Sequence, residues 1–206
     1  GERVAFSGFS YEVPVVATRK VQEYPAKSAN CDIHIGVLHG ELTTAQGRYA
    51  PFSIPELREK SYDYWALGHI HTCQEVSSQP CAWYSGTTQG ADRKESGPKG
   101  ALLVEITPGT TAEVRFIETS TMDWTKVELA ISKTARLETL PYLIVEALPN
   151  PSKRSLVTLH LQTQESIYSR EDLKQLTEVV NRLLEEKQSL VTVMSIREQV
   201  TKPLRG

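Results

Sequence analysis

Two apolar segments that run into glycine and histidine constrain the fold of this chain more than any other feature. The first is IGVLHG at residues 35–40, and the second is WALGHIH at residues 65–71. Each is typical of a buried strand, because apolar residues dominate the run and a glycine that favours a turn follows. Side chains at such strand ends can leave the core and converge on a ligand. The sequence therefore predicts strand ends that carry His39, His69 and His71.

Further strands and one helix are predicted in the first part of the chain. Ser53 can cap a helix, Pro55 suits an early helical position, and Glu56 stands three residues after the serine, as in a capping box. Residues 12–30 and 40–52 lack a periodic pattern and are predicted to be loops. The strands are predicted at residues 4–6, 33–38, 64–67, 82–84, 101–106, 114–117 and 127–131.

The pattern changes near residue 123, where amphipathic helices begin to alternate with strands. Helices are predicted at residues 140–148 and 170–187, because their leucines, valines and isoleucines recur at helical spacing. Strands are predicted at residues 156–161 and 190–196. This order is typical of a small α+β domain. We therefore predict a mixed α/β (α+β) chain with one domain at residues 1–122 and a second at residues 123–206.

Composition excludes several classes of protein. The net charge of −2 gives no overall basic field that would attract nucleic acid. Cys31, Cys73 and Cys81 are odd in number and lack close pair spacing, which argues against a disulfide framework. The chain has neither an apolar run long enough to cross a bilayer nor a secretory leader at its start. We therefore expect a cytoplasmic location without membrane association.

The histidines fit a transition-metal site. An H-x-H pair on extended backbone, such as His69 and His71, directs both imidazoles to the same side. Imidazole by itself suits zinc, iron, nickel or copper, whereas manganese and magnesium also need carboxylates. A structural role is the alternative for His39 when it is taken alone, and it is the interpretation we prefer for His160. The recurrence of an apolar strand with glycine and histidine favours metal binding by the intact protein.

Three segments resemble the calcineurin-like metallophosphoesterases. They are DYWALGHIH at residues 63–71, YSGTTQ at residues 84–89 and GALLVEI at residues 100–106. Within that family the chain is most similar to DNA-repair nucleases of the SbcD type, in which IGVLHG fits the penultimate metal motif and GHIH the last. The resemblance covers roughly residues 1–131 by motif. It implies half of a metallophosphoesterase β-sandwich flanked by helices, followed by a small α+β capping domain.

The resemblance also implies a site for two divalent metals, most often manganese. His39 and His69 would bind one metal and His71 the other, with a bridging carboxylate and a water shared between them. The metals would lower the pKa of the attacking water and neutralise charge on a phosphodiester. The implied partners are DNA and a coiled-coil ATPase of the SbcC type, with homodimerisation of the intact protein.

The earlier metal motifs of that family, D-x-H, G-D and G-N-H-D/E, are not found. No aspartate follows a glycine, and no asparagine precedes a histidine. Asp32 and His34 have D-x-H spacing, but the apolar run follows them, so we interpret both as part of the strand that leads to His39. The resemblance therefore implies that the catalytic histidine lies upstream of Gly1. We expect the chain as given to have little or no activity alone.

The loop at residues 85–100, SGTTQGADRKESGPKG, adjoins the site if the resemblance holds. Arg93, Lys94 and Lys99 are candidate contacts to DNA phosphates. The alternative for all three is an ordinary solvated loop. For Trp65 we predict core packing rather than base stacking, because its neighbours are apolar.

Two other functions remain open at this point. One is a non-catalytic DNA- or protein-binding module whose metal-site histidines are vestigial. The other is a phosphoesterase for nucleotides or phospholipids. The sequence upstream of Gly1 would discriminate the first alternative, and a substrate panel would discriminate the second.

Overall fold

The structure of the protein, a computed structural model, describes residues 1–132 and 135–201. The chain has a mixed α/β fold with several sheets and few helices, which confirms the predicted fold class. Residues 133–134 and 202–206 of the predicted second domain lie outside the described residues. Within the described residues, no helix combines the length and the apolarity that a membrane span requires.

The chain divides into two compact units. The first comprises residues 1–88 and 99–119, and the second comprises residues 89–98 and 120–206. The boundary therefore falls slightly before the one expected from the sequence, and a short loop segment joins the second unit instead of the first. The assignment of these units to a metallophosphoesterase part and a capping domain stays a prediction.

A five-stranded sheet forms the centre of the first unit. Its order is β1-β2-β3-β5-β4, with parallel pairing from β1 to β5 and β4 antiparallel to β5. Because β2 and β3 are parallel neighbours, their carboxyl ends lie at the same edge of the sheet. The strands are β1 (Val4–Gly8), β2 (Ile33–His39), β3 (Tyr64–Gly68), β4 (Gln74–Ser78) and β5 (Cys81–Tyr84).

Both faces of this sheet are covered, as strand alternation requires. Trp65 and Leu67 belong to the larger buried cluster on one face. On the other face, Tyr64 packs with Val104 and Val114, which lie on the antiparallel pair β6 (Gly100–Glu105) and β7 (Glu113–Glu118). The strands that carry the candidate histidines are therefore buried on both faces.

The short helix α1 (Ile54–Glu59) begins with the capping box predicted at Ser53 and Glu56. The Glu56 carboxylate also receives two hydrogen bonds from the Arg19 guanidinium, from Nε at 2.7 Å and from Nη2 at 2.5 Å. Arg19 precedes the 3₁₀ turn Lys20–Glu23. One carboxylate therefore joins the start of α1 to a loop that lies far from it in sequence.

This arrangement predicts a loss of stability in acid. The Arg19 hydrogen bond lowers the pKa of Glu56 from 4.5 to about 2. A lowered folded-state pKa stabilises the fold above the unfolded-state value, and this stabilisation is lost as the pH falls from about 4.5 to about 2. We expect Glu56→Gln to remove about 1–2 kcal/mol of acid-dependent stability, after allowance for solvent screening.

Urea unfolding at several pH values measures this effect. The control is Glu23→Gln, which removes an exposed carboxylate that pairs with Lys20. If the stability of Glu56→Gln kept the same dependence on pH as the parent between about pH 5 and pH 2, the role given to this carboxylate would be wrong.

A three-stranded parallel sheet and two helices form the second unit. The sheet order is β10-β9-β8. Val157, Leu159 and Leu161 of the central strand are buried in the core that also contains Leu176 and Val180. Leu156, Thr158 and His160 lie on the opposite face of the strand. The elements are β8 (Met122–Ala130), α2 (Leu140–Ala147), β9 (Arg154–Thr163), α3 (Arg170–Glu186) and β10 (Val191–Val200).

Residues 89–98 join this second unit through hydrogen bonds to the start of β8. The Gln89 side-chain amide donates to Met122 O at 2.8 Å, and the Trp124 indole donates to Gly90 O at 3.2 Å. These contacts form between residues more than thirty positions apart. Local patterns in the sequence therefore do not predict that this loop belongs to the second unit.

Candidate metal centre

His39 and His69 lie side by side at the carboxyl edge of the five-stranded sheet. The parallel register of β2 and β3 pairs His39 with Gly68, so the chain turns into His69 immediately beyond that pair. The two imidazole rings are 5.6 Å apart between centroids and are nearly perpendicular, at 76°. Gly40 N donates to Gly68 O at 3.2 Å and joins the two strand ends.

Gly68 allows this close approach. A Cβ atom at this position would lie 2.9 Å from Nδ1 of His39, which is shorter than real Cβ contacts. Because the Nδ1 side of the ring faces the glycine, Nε2 is the nitrogen left for a ligand. The glycine that the sequence suggested as a turn residue therefore also makes room for the histidine.

His69 has an unusual backbone conformation. Its φ of +110° lies in a region that residues with a side chain rarely adopt. Such strain costs on the order of 1–3 kcal/mol and persists where the surrounding structure imposes it, often at functional sites. Here it accompanies the placement of the His69 ring next to His39.

Two tyrosines surround the histidine pair. The Tyr11 ring is 5.6 Å from the His39 ring, and the Tyr11 hydroxyl donates to His39 O at 2.8 Å. The Tyr49 ring is 5.1 Å from the His69 ring. Both tyrosines come from loops with no periodic pattern, so no local feature of the sequence predicted their positions.

The electrostatic surroundings favour neutral imidazole at His39. Partial burial lowers its pKa, and nearby positive charge on His69 and His71 lowers that pKa further. A neutral imidazole is the form that binds a metal. His39 and His71 are exposed and His69 is half-buried, so a ligand can reach all three.

The segment that carries His71 rests on a buried lysine. Lys99 is only 4% exposed, and its ammonium group donates to His71 O at 2.9 Å. Gly86, with φ of +75°, lies against the same segment, because a Cβ there would be 2.8 Å from Cys73 N. Lys99 therefore supports the loop, whereas the sequence prediction placed it in contact with DNA.

The three imidazoles supply only part of the ligands that a transition-metal site needs. Neutral imidazoles are suitable ligands, but a pair of six-coordinate ions also requires carboxylates. Within residues 1–132 and 135–201, no group of three or more histidine, cysteine, aspartate or glutamate side chains is arranged to hold a metal ion. The ligand roles predicted for His39, His69 and His71 stay predictions.

His34 and Asp32 lie at the opposite end of β2 from His39, as the interpretation of D-x-H as structural requires. The His34 ring is 3% exposed and stacks on Tyr62 at 3.8 Å. Its Nε2 is 2.9 Å from Ser7 Oγ. Asp32 accepts a hydrogen bond from Arg3 N at 2.7 Å. Both side chains stabilise the beginning of the strand.

The remaining predicted site residues lie in the second unit. Arg93 and Lys94 are exposed and face a cavity of about 500 Å³ that Trp124 and Met194 also line. His160, predicted to be structural, contacts Gln199 Oε1 through Nδ1 at 3.2 Å. Phosphate contacts by Arg93 and Lys94 stay predictions.

Parallel strands that end in imidazoles at one sheet edge, with the sequence GHIH, point to the metal-dependent phosphoesterases. The chain is 32% identical over 158 residues to the uncharacterized metallophosphoesterase YhaO of Bacillus subtilis (strain 168). That match covers 75% of this chain and 38% of YhaO, so the chain spans less than half the length of this relative. No family model matches the chain. By its similarity to YhaO, the chain belongs to the calcineurin-like metallophosphoesterase superfamily.

Gly68 offers a direct test of the histidine arrangement. We expect Gly68→Ala to displace the His39 ring and to weaken binding of a divalent metal by about 10-fold, the scale on which groups that orient metal ligands act. Isothermal titration calorimetry with manganese measures the affinity. In a His39→Ala background the same glycine substitution should have no further effect. An equal loss in both backgrounds would contradict the contact between Gly68 and His39.

Proposed function

We propose that this chain is part of a two-metal phosphodiesterase of the SbcD type that hydrolyses DNA during repair. The observation that supports the proposal most is the placement of His39 and His69 at one sheet edge, with His71 following two residues later. Similarity to a metallophosphoesterase supports phosphoester hydrolysis in general. The DNA substrate rests on the resemblance of the sequence motifs.

The residues of the chain would contribute ligands and their positioning. Divalent metals, which we propose to be manganese, would activate a water molecule and neutralise the phosphate. His39 would bind through Nε2, because its Nδ1 side faces Gly68. Tyr11 and Tyr49 would fix the positions of the imidazoles through the ring contacts described above.

We further propose that residues outside this chain complete the site, so that the chain alone has little activity. Support comes from the open edge of the five-stranded sheet at β1. Phe6 is 68% exposed there, Val4 is 46% exposed and Val37 on the adjacent strand is 48% exposed. Such apolar surface on an edge strand is suited to packing against further polypeptide.

We propose three partners: DNA, a coiled-coil ATPase of the SbcC type and a second copy of the intact protein. Exposed Arg93 and Lys94, next to the cavity lined by Trp124, support contact with a phosphate backbone. Lys99 is left out of this surface, because its ammonium group is buried and bound to His71 O.

A substrate panel tests these proposals. The polypeptide of residues 1–206 and a longer polypeptide that includes the upstream region would be compared with manganese present. Linear DNA, bis-p-nitrophenyl phosphate, nucleotides and a phospholipid would serve as substrates. We expect DNA hydrolysis by the longer polypeptide only. Hydrolysis restricted to nucleotides or phospholipids would replace the nuclease proposal, and no hydrolysis with retained DNA binding would favour a non-catalytic module.

A further inference from the structure

Strand β10 leaves one side of the second unit's sheet without a neighbouring strand. Its strand partner among the described residues is β9 alone. Thr201 N donates to Thr163 O at 2.8 Å, so Thr201 directs its amide toward β9. Successive residues of a strand direct their backbone groups to opposite sides. The amides and carbonyls of Ile196, Glu198 and Val200 therefore point away from the sheet.

Asn181 of α3 shows what this edge can bind. Its side-chain amide donates to Val193 O at 2.9 Å, and its carbonyl oxygen accepts from Val193 N at 2.8 Å. This pair of bonds reproduces the contact that one residue of an added strand would make. A bulge follows between Val193 and Ser195, and beyond it no strand of the described chain covers the edge.

A groove runs between this free edge and helix α3, and we call it the β10–α3 groove. Its volume is about 560 Å³. Its floor combines apolar and small polar side chains, which suits alternate residues of an extended segment. The lining includes Leu173, Thr177, Asn181, Met194, Ser195 and Ile196.

The charges around the groove are mainly positive. Arg170, Lys174 and Arg197 are exposed, and the described residues provide no carboxylate that pairs with them. Glu198 is already engaged, because its carboxylate accepts hydrogen bonds from the Thr163 and Ser166 hydroxyls and from Ile167 N. Glu178 is the remaining carboxylate of the lining. The groove therefore favours a ligand with negative charge.

We propose that the β10–α3 groove binds an extended acidic peptide segment of a partner protein, which adds as a strand to β10. The free amides and carbonyls of Ile196, Glu198 and Val200 would continue the hydrogen-bond ladder. Arg197 follows the buried Ile196 and therefore lies on the sheet face opposite α3. Acidic side chains of the segment would reach Arg170 and Lys174 on one face and Arg197 on the other. Nucleic acid has the right charge but lacks the alternating peptide groups that this edge requires. The proposal does not depend on the metal site or on the phosphoesterase activity.

Binding of a labelled peptide to the polypeptide of residues 1–206 tests the proposal. The probe is a short fluorescent peptide of valine and glutamate that places glutamates on both faces of the extended chain, measured by fluorescence anisotropy. We expect it to bind, whereas a valine–lysine peptide and an N-methylated valine–glutamate peptide should not. Equal binding of the N-methylated peptide would exclude strand addition, and failure of the acidic peptide to bind would overturn the proposal.

Charge-reversal variants test whether the peptide binds in the β10–α3 groove. We expect Arg197→Glu to weaken binding of the acidic peptide by at least about tenfold, and Arg170→Glu combined with Lys174→Glu to do the same if the first variant does not fold. The matched control is Arg182→Glu, an exposed arginine of α3 outside the groove, which should leave binding unchanged. An effect of Arg197→Glu on oligonucleotide binding alone would assign the surface to nucleic acid and overturn the proposal. A dimer of the chain that Val200→Pro disrupts would assign the edge to a second copy, with the same consequence.

Discussion

Replacing His69 with alanine in the longer polypeptide is expected to lower manganese-dependent phosphodiester hydrolysis by about 100-fold or more. Loss of a group that merely orients a metal ligand already costs 10–100-fold in affinity or activity, so loss of a ligand should cost at least as much. His69 lies 5.6 Å from His39 between ring centroids, so its loss removes one of two adjacent imidazoles. Initial rates at several manganese concentrations measure the effect.

His160→Ala is the matched control for this experiment. His160 is a half-buried histidine of the second unit that contacts Gln199 and lies outside the candidate centre. Its substitution should leave hydrolysis unchanged. If both variants lost activity equally, or if His69→Ala kept full activity, His69 would not be a ligand.

The backbone at His69 adds a second readout that separates a ligand from a residue that is merely structural. Alanine keeps the strain of φ +110°, whereas glycine adopts this conformation freely. We therefore expect His69→Gly to be more stable than His69→Ala by about 1 kcal/mol in urea unfolding, although both lack activity. If the strained backbone at His69 lowers stability in this way, its retention indicates that the position of the His69 ring is required for function.

Hydrophobic patterning was sufficient to locate the strands that carry the site. The apolar run after Asp32 indicated that His34 lies within the strand that leads to His39, and the structure has both residues in β2, which runs from Ile33 to His39. The run before Gly68 likewise placed β3. Both strands are buried, so each appears in the sequence as an apolar run. Both are parallel, so their carboxyl ends lie at the same edge of the sheet.

Long-range contacts were beyond what the sequence could provide. Strand β4 (Gln74–Ser78) was missed because it is polar and lies at the sheet edge, where one side of a strand needs no apolar partner. The role of Lys99 was missed because a lysine among glycines and polar residues resembles a solvated loop. Its ammonium group donates to the carbonyl of His71, which lies 28 residues earlier in the chain.

Replacing Trp65 with alanine should cost about 3–5 kcal/mol of unfolding free energy, the usual range for a large buried aromatic side chain. Trp65 is fully buried, stacks on Tyr62 at 4.8 Å and lies so close to Gly36 that a Cβ there would be 2.3 Å from its ring. It stands on β3 four residues before His69, so the cavity should also loosen the strand that positions the candidate ligand.

Urea unfolding followed by far-ultraviolet circular dichroism measures the Trp65→Ala effect, and Trp65→Phe is its control. Phenylalanine keeps most of the ring and removes an indole N–H that has no hydrogen-bond partner among the described residues. The desolvation cost of that N–H disappears with it, so the phenylalanine variant should lose less than about 1.5 kcal/mol. Similar losses in the two variants would mean that the packing between β2 and β3 does not depend on the volume of this side chain. The alanine variant should then still place His69 beside His39 and bind manganese as the parent does.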